Sequence, residues 1–302
     1  MDDERRYGQM TFLVSAVTGA RARSLIEAGL PWLGGYVVRG QDLASGLTVA
    51  ALHEELGLSF PGSPFDPAAP SLDILRLPVT GTVQLASPGS DAPAFVDHSP
   101  LSGTGFVESA SGFVPYWWMA PSPIPAGTTL WRVYADGREE ALATYAHIAL
   151  GWVGPSPQQQ LRPTPVRFPE MIGTWATIAG NRFLADTLPD GSIIVCSPVE
   201  QEGMLLSPRG IWWKSVASPT LDSMDVVRVT ATLDGRPVQI VGMEAGDGGP
   251  NAHIVYTGHN AHDAESMNLA KTAAGVYEAI VPLSSLSNAA ETRTDVALQA
   301  AL

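Results

Sequence analysis

Near the N-terminus, apolar positions alternate between strand spacing and helix spacing. The run "MTFLVSAV" predicts a strand, and "ARARSLIEAGLPWL" predicts a short helix after it. A second helix is predicted in "DLASGLTVAALHEELGL", where apolar residues recur at helical spacing and either Asp42 or Ser45 supplies the N-terminal cap. This part of the chain therefore combines helices with strands.

From Leu72 onwards the pattern changes to strands. The segments "LDILRLPVTGTVQLAS" and "GTGFVESASGFVPYWWMAP" alternate apolar and polar residues, as strands with one buried face do. Further on, Asp136-Gly137 lies between two such runs and suits the positive φ values of a tight hairpin turn. The run "EEALATYAHIAL" after this turn fits either the second strand of a hairpin or a helix, and the pattern leaves both open.

The C-terminal half contains an internal repeat. The order of Ala, Thr and Gly in residues 176–180 returns in 231–235, and the apolar run 193–195 returns in 254–256. Each copy holds several short apolar runs separated by Gly, Asp-Gly or Pro-Arg-Gly turns. The largest insertion between the copies is Gly-rich and falls at a turn, which is typical of a duplicated β module.

These patterns predict an α+β, β-rich fold. An N-terminal α+β domain occupies residues 1–153, and a linker rich in Pro and Gln follows at 154–169. The first module occupies 170–224, and the second module occupies 225–302. Because each module is small for a lone domain, we expect a small SH3-like or Tudor-like β-barrel in each, packed against its neighbour to bury more apolar surface.

Charge excludes several classes of partner. The chain of 302 residues carries a formal net charge of −13 and has a pI near 4.8. Nucleic acids and anionic membranes bind Lys/Arg-rich surfaces, so we expect neither as a partner, whereas a basic protein would be attracted. The lone cysteine, Cys196, lies in an apolar run and indicates no disulfide framework. We see no signal peptide in "MDDERRYGQM" and no apolar run of membrane-spanning length, and we expect a cytoplasmic protein.

No catalytic or cofactor motif stands out. His259 and His262 have a spacing that would suit two metal ligands on one helical turn, but Gly258 and Asn260 favour a loop. We interpret both histidines as solvated loop residues, and we predict neither a metal nor a cofactor. Serines next to glycines do not form a G-x-S-x-G motif, and "GDGGP" lacks the Lys-Ser/Thr ending of a phosphate loop.

Two aromatic clusters are the best candidates for a protein-binding surface. Neighbouring residues of a strand point to opposite faces, so one tryptophan of each pair would be buried and the other exposed. An exposed tryptophan with a charged rim is typical of a protein-binding hot spot, and burial of both under another domain is the alternative. The predicted partner-binding residues are Tyr116, Trp117, Trp118, Trp212, Trp213 and, as an acidic rim, Glu139 and Glu140.

The C-terminal half resembles a known group of proteins. The segments "TATLDGRPVQIVGM", "HIVYTGHNAHDAESMNL" and "AGVYEAIVPLSSL" are similar to tandem β repeats of actinobacterial proteins encoded beside secreted toxins. Some of those proteins are immunity proteins (antitoxins) for NAD-glycohydrolase-type toxins. The resemblance covers residues 173–291 and involves structural positions only. It implies tandem β modules and toxin inhibition, and it assigns no functional residue.

Together these observations favour a non-enzymatic cytoplasmic protein that binds another protein. The specific hypothesis is an immunity factor that occludes a basic toxin domain in a stoichiometric complex. One alternative is an enzyme with its site in the N-terminal half, at His53, Glu54, Asp97 and His98. Another is a structural component of a phage or secretion assembly, which self-association into a ring or filament would indicate.

Overall fold

The computed structural model describes residues 12–29, 31–44, 47–87, 95–101, 103–156, 161–164, 166 and 171–296. Within these ranges strands dominate and form two antiparallel sheets, one in each half of the chain. The predicted β-rich α+β class is therefore confirmed. None of the helices in the described ranges is long and apolar enough to cross a membrane. The segment "MDDERRYGQM" and residues 157–160, 165 and 167–170 of the linker region lie outside the described residues.

In the described part of the N-terminal half, the first sheet consists of nine strands: β1 (Phe12–Val17), β2 (Trp32–Arg39), β3 (Ser71–Pro78), β4 (Leu85–Ala86), β5 (Phe106–Ser109), β6 (Gly112–Pro123), β7 (Thr129–Tyr134), β8 (Glu139–His147) and β9 (Gly151–Val153). Their order is β4-β6-β2-β1-β3-β7-β8-β9, and β5 pairs with β6 beside this path. The run "EEALATYAHIAL", which the sequence left open, begins with strand β8. It pairs with β7 across the turn at Asp136-Gly137, where Gly137 has a φ of 83°.

Short helices accompany the sheets: α1 (Gly19–Ile26), α2 (Val49–Glu55) and α3 (Ala261–Ser266), with 3-10 turns at Gly40–Asp42, Ser218–Thr220 and Leu283–Ser285. The cap predicted for α2 was wrong. The hydroxyl of Thr48 accepts a hydrogen bond from the Ala51 N–H and starts the helix. Asp42 belongs to the preceding 3-10 turn, and Ser45 lies outside the described residues.

Within residues 171–296, the second sheet consists of eleven strands: β10 (Ile172–Ile178), β11 (Asn181–Thr187), β12 (Ile193–Ser197), β13 (Leu205–Leu206), β14 (Trp212–Val216), β15 (Ser223–Leu233), β16 (Arg236–Gly246), β17 (Gly249–Tyr256), β18 (Ala270–Ala273), β19 (Val276–Pro282) and β20 (Leu286–Asp295). Their order is β13-β14-β12-β11-β10-β15-β16-β17-β19-β18, and β20 pairs with β15.

The second sheet carries the same pairing pattern twice. In the first module β10 pairs with β11, β11 with β12, β12 with β14, and β13 with β14. In the second module β15, β16, β17, β18 and β19 take the corresponding places. The register repeats as well, because Ala176 faces Phe183 in the first module and Ala231 faces Val238 in the second. The repeat in the sequence is therefore also a repeat of strand pairing.

The register corrects one detail of the sequence match. By residue type, residues 193–195 of the first module correspond to 254–256 of the second. By strand pairing, they correspond to 252–254. Ile193 faces Val216 on β14, and Ala252 faces Val281 at the same place on β19. A shift of two residues keeps the same side chains on the inner face, since the side-chain period of a strand is two.

The predicted SH3-like or Tudor-like barrels are not shown. Strand β10 pairs directly with β15, with Ile172 facing Arg228, and neither sheet closes on itself within the described ranges. The modules thus form one open sheet, although each has its own apolar cluster. The two modules stay joined in one sheet because they share β15. Its 11 residues pair with β10 of the first module and with β16 of the second.

The N-terminal half packs on the second module. The indole Nε1 of Trp118 donates a hydrogen bond to the Gly275 carbonyl at 2.9 Å, and the Tyr36 N–H donates to the Ala274 carbonyl at 2.9 Å. Buried Arg228 donates to the carbonyls of Pro121 and Thr82, and burial lowers its pKa to about 10. This docking buries Val276 and Tyr277 at the start of β19.

Candidate functional site

The predicted aromatic cluster on β6 is mostly internal. Tyr116 and Trp118 are buried, because alternate residues of β6 face the core. Trp117 points to the other face and is half-buried, with the Arg39 guanidinium 4.6 Å from the centre of its ring. Tyr116 and Trp118 are therefore not available to a partner, contrary to the sequence-based assignment.

The predicted acidic rim is engaged within its own sheet. Glu139 accepts hydrogen bonds from Arg76, the shorter at 2.7 Å. Glu140 accepts one from the Tyr134 hydroxyl at 2.6 Å and lies 3.6 Å from the Arg138 guanidinium. Both carboxylates belong to β8 in the first sheet, so they are not in the sheet that holds the tryptophan pair on β14.

That tryptophan pair borders an open apolar edge. Trp212 packs on the core of the first module, and the ring of Trp213 lies 5.0 Å from that of His147. In the pairing of β13 with β14, Leu205 faces Trp213 and Leu206 faces Trp212. Leu205 is 67% exposed and Leu206 is 59% exposed. No described strand pairs with the outer edge of β13.

The matching edge of the second module contacts the N-terminal half at one position, Lys271, while Ala270 and Thr272 of the same strand are exposed. Strand β18 pairs with β19 in the same register, so Lys271 takes the place of Leu206. The Lys271 ammonium donates a hydrogen bond at 2.9 Å to Asp97, a buried carboxylate from the N-terminal half. The same position in the fold thus holds an intramolecular contact in one module and solvent-exposed leucine in the other.

Carboxylates flank the open edge. Val199, which is 59% exposed, and the exposed Glu200 and Glu202 lie in the loop that leads to β13. We call Val199, Leu205 and Leu206 the β13 patch. It is an apolar surface beside two exposed carboxylates, with one cation near them, since the Lys214 ammonium donates to the Glu202 carbonyl at 3.4 Å. The surface favours a partner that presents apolar groups next to basic ones.

The two histidines weighed as metal ligands are separated in the structure. His259 precedes α3 with a φ of 57°, and its ring stacks on Phe95 at 4.2 Å and meets Trp118 edge-on at 4.3 Å. Burial lowers its pKa to about 4. His259 is a packing residue of the junction and not a solvated loop residue, whereas His262 lies exposed on α3.

His262 belongs to a different cluster, between α3 and the segment after Phe95. His98 Nε2 lies 2.7 Å from one carboxylate oxygen of Glu265, and His262 Nδ1 lies 3.9 Å from the other. One possible ligand atom of each residue lies within 4.8 Å of those of the other two. Two backbone hydrogen bonds of 2.8 Å join Val96 to the start of α3. Sequence reasoning missed this cluster because 167 residues separate His98 from Glu265.

The four residues of the enzymatic alternative do not converge. His53 is buried on α2 with Nδ1 at 3.4 Å from the Ser59 hydroxyl, and Glu54 is exposed on the same helix. Asp97 and His98 instead contact the second module, through Lys271 and α3. These residues therefore form no shared catalytic set.

A small cavity of about 60 Å³ lies where the first module meets the N-terminal half. Asp186 lines it and accepts a hydrogen bond from the Ile148 N–H. Burial raises the pKa of Asp186 to about 7, although that hydrogen bond and nearby Arg209 lower it. Two polar side-chain atoms of the lining, Trp152 Nε1 and Thr174 Oγ1, have no hydrogen-bond partner among the described residues. The volume suits a few water molecules and is far below that of an organic ligand site.

No protein-family model matches this chain, and no curated protein or solved structure shows significant similarity to it. Function therefore has to be argued from the β13 patch and the histidine cluster themselves.

Proposed function

We propose that this protein acts by binding another protein, and that a basic protein domain docks on the β13 patch. The observation that carries the proposal is the contrast between the modules. In the second module Lys271 contacts Asp97 of the N-terminal half, whereas Leu206 at the same place in the first module is exposed. The edge strand of a module can therefore contact another part of a protein, as β18 does through Lys271 within this chain.

The β13 patch offers three contributions to binding. Covering Leu205 and Leu206 would stabilise a complex by about 1–2 kcal/mol for each side chain. The outer edge of β13 presents backbone groups with which a partner strand can pair. Glu200, Glu202 and the net charge of −13 attract basic surfaces and raise the association rate.

The sequence resemblance supports a specific form of this proposal. Residues 173–291 resemble immunity proteins encoded beside toxins, so we propose a toxin domain as the partner. An immunity factor of this kind inhibits by occlusion, without chemistry of its own. Inhibition then follows the stoichiometry of the complex.

Affinity capture with matched variants tests the docking site. The test variant is Leu205→Asp/Leu206→Asp, which changes exposed side chains only. The control is Ile280→Ser, because Ile280 is 54% exposed on β19 and its counterpart in the first module is Ser215. We expect the wild type and the control to hold one basic protein in a one-to-one complex that weakens with salt. The double variant should bind it about 100-fold more weakly.

Two results would contradict the proposal. One is the absence of any stoichiometric partner, and the other is unchanged affinity of the double variant for the captured protein. If the partner is an enzyme, its activity should fall to zero at one equivalent of this chain. Unaffected activity would reject the immunity-factor form and leave the docking site standing.

A further inference from the structure

We propose that His98, His262 and Glu265 form a zinc-binding site that joins the N-terminal half to the second module. Two imidazoles and one carboxylate, with a fourth position left for water, are a ligand set that Zn²⁺ uses in proteins. Metal–ligand bonds of about 2.0–2.2 Å place tetrahedral ligand atoms about 3.4 Å apart. The contacts of 2.7 Å for His98–Glu265 and 3.9 Å for His262–Glu265 lie on either side of that spacing.

The cluster is held in place before any ion binds. His262 and Glu265 lie three residues apart on α3, so both point to the same side of the helix. The Asp97 carboxylate accepts the His98 backbone N–H at 2.7 Å and also binds Lys271 at 2.9 Å. This fixed backbone reduces the entropy that zinc binding must overcome.

The imidazole ligands identify the class of ion and the kind of site. Nitrogen ligands favour zinc and its transition-metal neighbours over Mg²⁺ and Ca²⁺, which prefer sets of oxygen ligands. His98 and the pair on α3 come from different halves of the chain. Zinc is therefore expected to act as a clamp that stabilises the docked arrangement by mass action.

Isothermal titration of the full chain with ZnCl₂ tests this site, with His98→Ala and His262→Ala as test variants. The control is His253→Ala, because His253 also contacts a glutamate, Glu278 at 2.7 Å, away from the cluster. Wild type and control should bind one equivalent of zinc, and their Tm should rise with zinc. Each test variant should bind zinc at least about 100-fold more weakly than the wild type. Losing a residue that only orients a metal ligand already lowers metal affinity by up to about 100-fold, and losing a ligand itself should cost at least as much.

MgCl₂ serves as the second control and should give no binding. The ligands are exposed or half-buried, so both test variants should keep the metal-free Tm of the wild type. The inference is overturned if the wild type binds no zinc. It is also overturned if zinc binding survives unchanged in His98→Ala and His262→Ala.

An independent inference comes from the open edge of β20. Strand β15 pairs with β10 and β16 along one edge, so β20 occupies the other. The Val296 N–H donates a hydrogen bond to the Met224 carbonyl. In an antiparallel pair, Val296 and every second residue before it therefore direct their backbone N–H and C=O groups towards β15. The backbone groups of Glu291, Arg293 and Asp295 therefore face outward, where no described strand pairs with them.

We infer that the β20 edges of two molecules pair antiparallel about a two-fold axis at Thr292. This register places Glu291 of each molecule opposite Arg293 of the other, which gives two pairs of opposite charge. An axis at Glu291 would place the two Glu291 carboxylates opposite each other, and an axis at Arg293 would do the same for arginine. Opposite charges stabilise directly facing positions and like charges destabilise them, so the charges disfavour the Glu291 and Arg293 registers. Arg293 already lies 2.7 Å from Glu291 within each chain, and the Thr292 register adds the same contact between chains. An axis at Thr294 would also pair opposite charges, Arg293 with Asp295, but it would join only the end of β20, so we favour the longer Thr292 ladder.

Sedimentation velocity over a range of concentrations tests the dimer, with variants at exposed positions of β20. Glu291→Arg and Arg293→Glu each bring like charges together and should weaken dimerisation about tenfold. The double variant Glu291→Arg/Arg293→Glu exchanges the charges and should return to within about threefold of the wild type.

A wild type that stays monomeric at every concentration would overturn the dimer. A double variant as weak as the single ones would overturn the register. A two-fold pairing uses the β20 edge of each molecule, so pairing through β20 stops at two molecules.

Discussion

Asp186 shows how one buried side chain can make folding depend on pH. Its carboxyl group lies between the two halves, where loss of hydration outweighs the hydrogen bond from Ile148 and the charge of Arg209. The pKa rises from the usual 3.8 to about 7. The folded chain therefore keeps a proton over a pH range in which the unfolded chain has released it.

We predict that Asp186→Asn removes a pH dependence from the stability of the protein. Because the folded pKa lies above the unfolded one, the contribution of Asp186 is fully present below about pH 4 and is lost as the pH rises towards 7. Between about pH 5 and 7, the free energy of unfolding of the wild type relative to the variant should fall by about 1 kcal/mol per pH unit. Urea unfolding at three pH values in this range measures it, and parallel curves for the two proteins would contradict it.

At the scale of elements, the first hairpins of the two modules form a natural matched pair. The turn between β10 and β11 is Ala179-Gly180, and the turn between β15 and β16 is Asp234-Gly235. Both first residues have a φ of 48° and both glycines a φ of 75°. Two positive φ values define a type I′ turn, in which Asn or Asp is favoured at the first position and alanine is strained.

We predict opposite effects of two substitutions in these turns. Ala179→Asn should stabilise the protein by about 1 kcal/mol, because asparagine adopts the left-handed conformation more readily than alanine. Asp234→Ala should destabilise it by a similar amount in the matching turn. Urea unfolding of both variants provides the measurement, and changes of the same sign would show that turn conformation does not control the stability of these hairpins.

At the scale of the whole molecule, a glycine allows the two halves to approach closely. Gly35 on β2 has a φ of 100°, and a Cβ atom there would lie 2.5 Å from a Val276 methyl carbon and 2.6 Å from the Ala274 carbonyl oxygen. The same segment makes the hydrogen bond from Tyr36 to Ala274. Close backbone packing at this point therefore contributes to the contact between the N-terminal half and the turn from β18 to β19.

We predict that Gly35→Ala lowers the free energy of unfolding by about 2–4 kcal/mol, from left-handed strain and from overpacking together. Gly203→Ala is the control, since Gly203 has a φ of 73° but no atom near its missing Cβ. Its cost should be limited to strain of about 1–2 kcal/mol. Equal losses in the two variants would mean that the contact between the halves does not depend on glycine at position 35.

Part of the candidate site was predictable from the sequence. Alternation along β6 correctly separates Trp117 from Trp118, because successive side chains of a strand face opposite sides. The repeat correctly suggests that positions in one module have counterparts in the other. Neither pattern predicts that Tyr116 is buried or that Leu205 and Leu206 are exposed, since these depend on which surface the N-terminal half covers.

Local features of this protein can be read from its residue pattern: the strand-rich character, the hairpin turns and the duplicated module. These follow from side-chain periodicity and from φ values that Gly and Asp allow, both of which act over a few residues. Two other features emerge only in the folded chain: β15 joins the modules into one open sheet, and His98 contacts Glu265. Those outcomes depend on which distant surfaces pack together, and local patterns carry no record of that packing.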